Sequence, residues 1–283
     1  MNKVAFGPEA VNGVVSEFHD ESILPASRTQ SDGFDWDDSG IQALLPTSRR
    51  HPVFGNEIPA LELADRQVGN RQFKIRAANS NGHRSSANIL IKRRYEWRGY
   101  EGASLPVDCN ANRITLIATE HDEVIGTITV GLDGHEGLLA EDVFPAEVAS
   151  VRTQGRKVCE FTKLAVNPTE SAKRVLASLF HVAFIVAQRI KRCDTLVLEV
   201  NPRHVNYYRR MLGCHVLGAE RTNPRVNAPA VLLCVEFSYI EAQIAKFAGN
   251  ASATVNERTL YPYSFSQAEE TCIISRCMAE PWL

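Results

Sequence analysis

The chain has 283 residues, of which 44% are hydrophobic, so it is long enough to bury one large core. Its formal net charge of -2 and pI near 6.5 argue against a general nucleic-acid binder, because that function needs clustered positive charge. Seven cysteines with no CxxC pair, and no His pair at metal-ligand spacing, favour reduced thiols over a disulfide framework or a metal site.

The N-terminal residues show no targeting pattern. The start, MNKVAFGPEAVNGVV, lacks the apolar core of a signal peptide. The longest apolar run, VLASLFHVAFIVA, is too short to span a bilayer and contains His181. We therefore expect a cytoplasmic protein without a membrane span.

Composition divides the chain into three parts. Residues 1–70 are rich in Asp, Ser, Gly and Pro and predict a largely irregular N-terminal extension, with a folded subdomain as the alternative. Residues 71–250 carry the periodic patterns of a folded domain. Residues 251–283 return to polar, irregular composition and predict a C-terminal tail that packs on the domain or stays mobile.

The first half of the domain begins with a strand and a helix. QFKIRAA alternates as a strand does, and HRSSANILIKRRYEWRGYE carries apolar residues among basic ones as a helix does. RITLIATEHDEVIGTITVGL predicts two strands around a turn at His121-Asp122, hence a β-hairpin. A Gly-containing loop and the short segment PAEVASV follow.

The second half alternates strands with helices. CEFTKLAVNP predicts a strand ending at Asn167-Pro168, although Glu160, Thr162 and Lys163 lie inside it. The later elements are a long apolar helix, a strand, a short helix, two strands and a closing helix: ESAKRVLASLFHVAFIVAQRIKR, DTLVLEV, PRHVNYYRRML, CHVLGAE, APAVLLCVEF and SYIEAQIAKFAGN. A long helix between apolar strands implies a parallel crossover, so the fold is a mixed α/β sheet with helices on both faces.

Two motifs carry a resemblance to a known family. The strand Glu160-Phe-Thr-Lys-Leu-Ala-Val166 is similar to an E-x-[ST]-[RK]-L-A-V strand, and the segment NPRHVNYYRRM, which runs from Asn201 to Met211, is similar to an N/H-P-R-H-…-Y-R-R junction. Both belong to long-chain N-acyl amino acid synthases of the FeeM type. These enzymes are members of the GNAT acyltransferase superfamily and are related to acyl-homoserine lactone synthases. The similarity extends over residues 72–249 and implies a GNAT-like sheet.

The resemblance also implies a function. We expect an N-acyltransferase that moves a long acyl chain from a pantetheine thioester to the amine of an amino acid, with no permanently bound cofactor. Two alternatives stay open, a coenzyme A-dependent small-molecule N-acetyltransferase and a non-catalytic acyl or carrier-protein sensor on the same fold.

The segment NPTESAKRVLASL bears on the donor because it contains no glycine. Common acetyltransferases carry a Gly-rich loop here, whose backbone N–H groups bind the pyrophosphate of coenzyme A at a helix N-terminus. Acyl carrier protein presents the same pantetheine arm without that pyrophosphate. The sequence therefore favours acyl carrier protein as the donor over acyl-coenzyme A.

Three residues are candidates for catalysis. Glu160 in a partly apolar setting suits a general base, with a structural salt bridge to an arginine as the alternative. The resemblance implies that Tyr208 protonates the leaving thiolate, although packing of its helix on the sheet explains an aromatic residue equally well. His204 is a candidate titrating group near neutral pH, or a partly exposed structural residue.

Other residues are candidates for binding. Strand alternation places Glu160 and Thr162 on one face and Lys163 on the other. Thr162 suits a substrate hydrogen bond or a cap on a neighbouring residue. Lys163 suits an acceptor carboxylate or a carrier phosphate, with a solvated lysine at the strand edge as the alternative. The resemblance implies that the backbone of Leu164, Ala165 and Val166 holds the thioester. It also implies that Arg94 and Trp97 lie on a helix that closes over substrate. A candidate surface for an acidic carrier protein comprises Lys173, Arg174, Arg203, Arg209 and Arg210.

Overall fold

The structure is a computed structural model of the chain. It describes residues 64–68, 71–100, 103–105, 111–168, 171–249 and 258–279. The expected irregular extension over residues 1–70 falls outside the described residues except at its end. Within the described ranges, no helix is long and apolar enough to cross a bilayer.

The described residues contain eight β-strands that form one sheet. The strands are β1 (Ala64–Val68), β2 (Arg71–Ala77), β3 (Arg113–Glu120), β4 (Glu123–Leu132), β5 (Val158–Val166), β6 (Thr195–Val200), β7 (His215–Asn223) and β8 (Ala228–Glu236). Their spatial order is β1-β2-β3-β4-β5-β6-β8-β7. β5 and β6 pair in parallel and every other neighbouring pair is antiparallel, so the expected mixed sheet with a central parallel crossover is confirmed.

Six α-helices accompany the sheet in the described part of the chain. They are α1 (Asn81–Glu96), α2 (Pro145–Thr153), α3 (Ala172–Phe184), α4 (Val205–Leu212), α5 (Phe237–Phe247) and α6 (Gln267–Ala279). Short 3₁₀ turns lie at Leu139–Asp142, Pro202–His204 and Tyr261–Tyr263, and a π-helical turn, Ile185–Ile190, extends α3.

Helices cover both faces of the sheet, as expected. On the first face, α1 packs over β3 and β5 through an apolar cluster that includes Leu90, Ile117 and Ala165, and α2 packs over Val158 and Val197. On the second face lies α3, whose Leu179 approaches Gly126 so closely that a Cβ at that glycine would stand 2.9 Å from it. In each central strand, alternate side chains therefore point toward the helices on one face of the sheet or toward those on the other.

The hairpin between β3 and β4 turns where the sequence predicts. Glu120 pairs with Glu123, and the two residues between them, His121 and Asp122, have φ of 48° and 62°. Positive φ at both central residues is typical of the type I′ turn, whose twist matches that of the flanking strands.

Two boundaries differ from the sequence analysis. The sheet already begins at Ala64, so the boundary expected after residue 70 falls inside the β1–β2 hairpin. The C-terminal residues expected to be irregular include the helix α6, whose Ile273 and Cys277 are buried. Their apolar residues do not repeat at helical spacing, since Cys272, Ile273 and Ile274 are consecutive, which explains why the pattern indicated a tail.

Candidate active site

The central strands β5 and β6 separate along their length. They pair only where Val158–Glu160 lie beside Thr195–Val197, although β5 continues to Val166 and β6 to Val200. Beyond the paired residues the facing edges of the two strands no longer bond to each other. Such edges offer backbone N–H and C=O groups to an extended ligand inserted between them.

A β-bulge at Lys163 shapes β5 beside this opening. Thr127 pairs with Ala165 and Thr129 with Thr162, so β5 carries one residue more than β4 over this stretch. Lys163 has φ of 52°, and its carbonyl oxygen accepts a hydrogen bond of 2.7 Å from the hydroxyl of Thr127.

The bulge corrects the expected position of the Lys163 side chain. Simple alternation would place the Lys163 side chain on the face opposite Glu160. The extra residue instead turns it toward the charged side chains on the Glu160 face. Burial lowers the pKa of Lys163, with Arg225 and Arg113 adding to the effect and Glu160 and Glu199 opposing it. Its ammonium has no hydrogen bond or ion pair with any described residue.

Glu160 is buried, and three donors satisfy its carboxylate. Oε1 accepts from Arg113 Nη1 at 2.8 Å and from the backbone N–H of Leu139 at 2.9 Å, while Oε2 accepts from the N–H of Ala140 at 3.0 Å. Gly131 makes room for it, because a Cβ there would lie 2.7 Å from the Glu160 Cγ. Glu160 therefore ties β5 to β3 and to the 3₁₀ turn, which favours the alternative of a structural salt bridge.

Glu199 on β6 is a second carboxylate of the same face, which the sequence analysis missed. It accepts from Arg225 Nη2 at 2.8 Å and from the amide of Asn223. Burial raises the pKa of Glu199, and the two hydrogen-bond partners only partly oppose this. The available signal was a single acidic residue inside the apolar strand DTLVLEV.

Tyr208 lies beside the opening, on the helix that follows β6. Its ring packs edge-on against Phe180 of α3 with centroids 6.5 Å apart, and against Tyr207 with centroids 5.5 Å apart. Burial, together with the neighbouring Tyr207 and Tyr95, raises the pKa of Tyr208. The phenol therefore keeps its proton over the physiological range and is able to donate it.

His204 lies at the start of the same helix. Burial, and to a lesser extent the charges of Arg98 and Arg203, lower the pKa of His204 to about 4. The imidazole is therefore neutral at pH 7 and does not titrate there, unlike the group the sequence analysis considered. Its Nε2 accepts a hydrogen bond of 3.3 Å from Arg203 Nε.

An apolar pocket lies on the second face of the sheet, directly below the point where β5 and β6 separate. The space between its lining side chains is about 360 Å³, a figure that includes open solvent. The lining side chains come from β5, β6, α3, α4, α5 and the C-terminal segment: Phe161, Ala177, Phe180, His181, Phe184, Leu196, Leu212, Ile240, Ile244, Leu260, Tyr261 and Ser264. Since Phe180 also contacts Tyr208, the pocket begins next to the phenol.

The family model for FeeM, described as N-acyl amino acid synthase FeeM, matches residues 86–236, which include both motifs and the whole opening. The chain belongs to the FeeM family. It is therefore an acyltransferase of the GNAT fold that performs N-acyl transfer from an acyl thioester. None of the curated proteins searched matches the chain.

The solved structure of FeeM agrees with this family in fold. The structure of FeeM, an N-acyl amino acid synthase from uncultured soil microbes, is 24% identical with a TM-score of 0.56, and the match covers 63% of this chain and 98% of that one. The acyl-homoserine lactone synthase LasI is 13% identical with a TM-score of 0.44, covering 59% and 91%. ElaA from Escherichia coli is 8% identical with a TM-score of 0.42, covering 58% and 98%.

The remaining candidate binding residues of this FeeM-family chain lie around the opening or on its surface. The Thr162 hydroxyl is buried and has no hydrogen-bond partner within the described residues. Trp97, which directly follows α1, is 54% exposed, and the guanidinium of Arg94 on α1 stands 5.3 Å from its ring centroid. Leu164 adjoins the bulge, and Ala165 and Val166 follow it on β5.

The five basic residues of the candidate carrier surface fall into two groups. Lys173 and Arg174 of α3 stand over the ring of Tyr263, at 4.9 and 5.8 Å from its centroid. Arg203, Arg209 and Arg210 lie exposed on the turn before α4 and on α4 itself, with Arg203 donating to the Tyr100 hydroxyl at 3.2 Å. Among the described residues, no cluster of His, Cys, Asp and Glu is arranged to hold a metal ion.

Proposed function

We propose that this protein transfers a long-chain fatty acyl group from acyl carrier protein to the amine of an amino acid. The observation that carries the proposal is the apolar pocket that starts between β5 and β6 beside Tyr208. A thioester carbonyl held in the opening would lie next to Tyr208 as the proton donor. The attached acyl chain would enter the pocket, which aromatic and aliphatic side chains line. A short acetyl group would leave that pocket unused.

The donor arm fits the separated strand edges. Pantetheine carries two amide groups, which suit the edge of β5 at Leu164, Ala165 and Val166 that faces β6, where the two strands no longer pair. The segment leading into α3 has no glycine that would let its backbone approach a pyrophosphate. Arg209 and Arg210, which directly follow Tyr208 in the sequence, are exposed. A carrier protein with an acidic surface therefore suits this entrance better than coenzyme A does.

Lys163 suits the carboxylate of the acceptor. Lys163 is half-buried, and its ammonium has no hydrogen bond or ion pair with any described residue. Both positive and negative side chains surround it: Arg225, Arg113, Glu160 and Glu199. A bound carboxylate would satisfy it by a charge-assisted hydrogen bond. The neighbouring Thr162 hydroxyl, which also has no hydrogen-bond partner in the described part of the chain, would donate to the same substrate.

The reaction needs one base and one acid. The amine nitrogen attacks the thioester carbonyl carbon, the C–S bond breaks, the amine proton passes to a base and the thiolate takes a proton from an acid. Tyr208 is the proposed acid because its phenol is protonated at neutral pH and packs against Phe180 of the pocket wall. Glu199 is the proposed base, acting directly or through a water, because burial raises its pKa; Glu160 remains the rival, although three donors already satisfy it.

Product analysis tests the proposal. The protein is expressed in a bacterial host, and lipid extracts are compared by mass spectrometry with those of a host producing Tyr208→Phe. New amide-linked acyl amino acids that are depleted in the variant would support the proposal and identify the acceptor. A host that accumulates only N-acetylated small molecules, or no amide product at all, would refute it.

A further inference from the structure

One wall of the pocket is formed by a segment that lies outside the residues matched by the family model. Residues 86–236 match that model, whereas Leu260, Tyr261 and Ser264 line the pocket. The 3₁₀ turn Tyr261–Tyr263 contacts both α3 and α5. The sheet side of the pocket is formed by Phe161 and Leu196, so the segment spans the two helices across the pocket from the sheet.

Specific hydrogen bonds hold this segment in place. The Tyr261 hydroxyl donates to the carbonyl oxygen of Leu212 at 2.6 Å, and the backbone N–H of Leu260 donates to that of Met211 at 3.1 Å. The N–H of Phe265 donates to His181 Nδ1 at 2.9 Å. A segment fixed at both its ends to α4 and α3 has a defined distance from the sheet.

The side chains that the segment presents to the pocket are firmly buried. Leu260 and Tyr261 are 2% and 3% exposed. A buried wall at a fixed distance limits how many methylene groups fit between it and the thioester. Each methylene that enters an apolar pocket strengthens binding by about fourfold, and each one that meets a wall costs at least as much.

We propose that the C-terminal segment Leu260–Ser264 sets the length of the acyl chain that the enzyme accepts, with Leu260 as the specificity-determining side chain. This inference rests on the proposed function for the identity of the ligand as an acyl chain. The wall formed by Leu260–Ser264 does not depend on that function. It assigns a substrate-selecting role to residues that lie outside the matched family region.

Two variants move the wall in opposite directions. Leu260→Ala removes three carbons from the lining, so the preferred chain should lengthen by about two to three carbons, and the rate ratio of the longer chain to the original one should rise by roughly tenfold. Ala177→Val adds two carbons on the α3 side and should shift the preference to shorter chains. Ile273→Ala is the matched control, since Ile273 is 3% exposed in α6 but does not line the pocket.

The first readout is competition between acyl-carrier donors. Wild type and variants receive an equimolar series of saturated acyl carrier proteins from octanoyl to palmitoyl, and the products are counted by mass spectrometry. Opposite shifts in Leu260→Ala and Ala177→Val with none in Ile273→Ala would support the wall. An unchanged optimum in both pocket variants, alongside normal wild-type turnover, would overturn it while leaving the proposed function intact.

The second readout does not require turnover. The rise in melting temperature is measured with free saturated fatty acids of the same lengths. If the wild type makes no acyl amino acid but its thermal shift has a length optimum that moves in the two pocket variants, the proposed function fails and the chain-length wall stands. A thermal shift that ignores chain length in wild type and variants alike would refute the wall directly, including for a variant too unstable to assay for activity.

Discussion

Glu160 and Glu199 stand on the same face of neighbouring strands, but their surroundings differ. Glu160 accepts from Arg113 and from two backbone N–H groups that belong to the 3₁₀ turn, and its side chain is 2% exposed. Glu199 accepts from side chains only, and burial raises its pKa. A general base must take up a proton without breaking hydrogen bonds that hold the local backbone in place. Glu199 meets this condition better than Glu160 does.

The two glutamates can be separated by matched substitutions. Glu160→Gln should lower the free energy of unfolding by about 3–5 kcal/mol, because Arg113 loses a buried counter-charge, while turnover of the folded protein stays near normal. Glu199→Gln should keep the fold and lose roughly 10²–10⁴ in rate, together with the acidic limb of the pH–rate profile. Thermal unfolding and kcat/KM against pH measure both effects. The reverse pattern would return the role of base to Glu160.

Tyr208 can be tested through the leaving group. Tyr208→Phe keeps the packing on Phe180 but removes the proton donor, so kcat should fall by roughly 10²-fold with little change in melting temperature. An aryl thioester, whose thiolate leaves without protonation, should narrow the gap between variant and wild type. Tyr207→Phe is the control and should behave as wild type with both donors. An equal loss with the aryl thioester would show that the phenol only positions α4.

At the scale of elements, the bulge in β5 makes a prediction of its own. Lys163 has φ of 52°, which glycine adopts without the steric penalty of a side chain, so Lys163→Gly should cost no stability at the backbone. Loss of the ammonium should raise the KM for an amino acid at least about tenfold while leaving kcat nearly unchanged. A decarboxylated amine acceptor should show the same KM in both proteins. A rise in KM for that amine too would mean that Lys163 shapes the opening rather than binds a carboxylate.

The contact between α3 and the C-terminal segment predicts acid sensitivity. Burial lowers the pKa of His181 below its ordinary 6.5, with Arg66 and Arg189 contributing and Glu270 opposing, so the unfolded chain binds a proton that the folded one excludes. Stability is therefore complete above pH 6.5 and is lost as the pH falls below that value, by up to about 1.4 kcal/mol per pH unit.

Thermal melts across this range provide the test. His181→Asn retains an acceptor for the Phe265 N–H without titrating, so its melting temperature should depend less on pH below 6.5 than that of wild type. His215→Asn is the control, because His215 is exposed. Equal slopes in wild type and His181→Asn would assign the acid sensitivity to another group.

The sequence predicted the elements of the sheet better than the geometry of the site. Periodicity identified the β3–β4 hairpin and the long α3 because both patterns persist over many residues. A bulge is one residue long and leaves no periodic signal, so the orientation of Lys163 was predicted wrongly. The partners of Glu160 lie 20, 21 and 47 residues away, and only the folded chain brings them together.

At the scale of the whole molecule, the exposed Arg209 and Arg210 of α4, which directly follow Tyr208, lead to a prediction about the donor. Acyl carrier protein should react faster than acyl-coenzyme A of equal chain length, and raising the salt should slow only the carrier reaction. Reversing charge with Arg209→Glu and Arg210→Glu should cut the carrier rate by roughly tenfold and leave the coenzyme A rate unchanged. Lys246→Glu on α5 is the control.

Initial rates with both donors measure this preference. A faster reaction with the coenzyme A thioester in wild type would overturn the choice of carrier protein. Equal losses with both donors in the double variant would instead place Arg209 and Arg210 in the binding of pantetheine itself.

One side chain joins the first described strand to the last part of the fold. Arg66 of β1 donates to the carbonyl oxygens of Tyr263 and Ser264, and its guanidinium stands 4.6 Å from the centroid of the Phe265 ring. Arg66 and Tyr263 are 197 residues apart in the chain. At typical translation speeds, Arg66 leaves the ribosome roughly 10–40 s before its partners exist. Once α3 has been made, the surface that it presents to the segment Leu260–Phe265 stays uncovered until that segment follows, so we expect the fold to close only after this segment has left the ribosome.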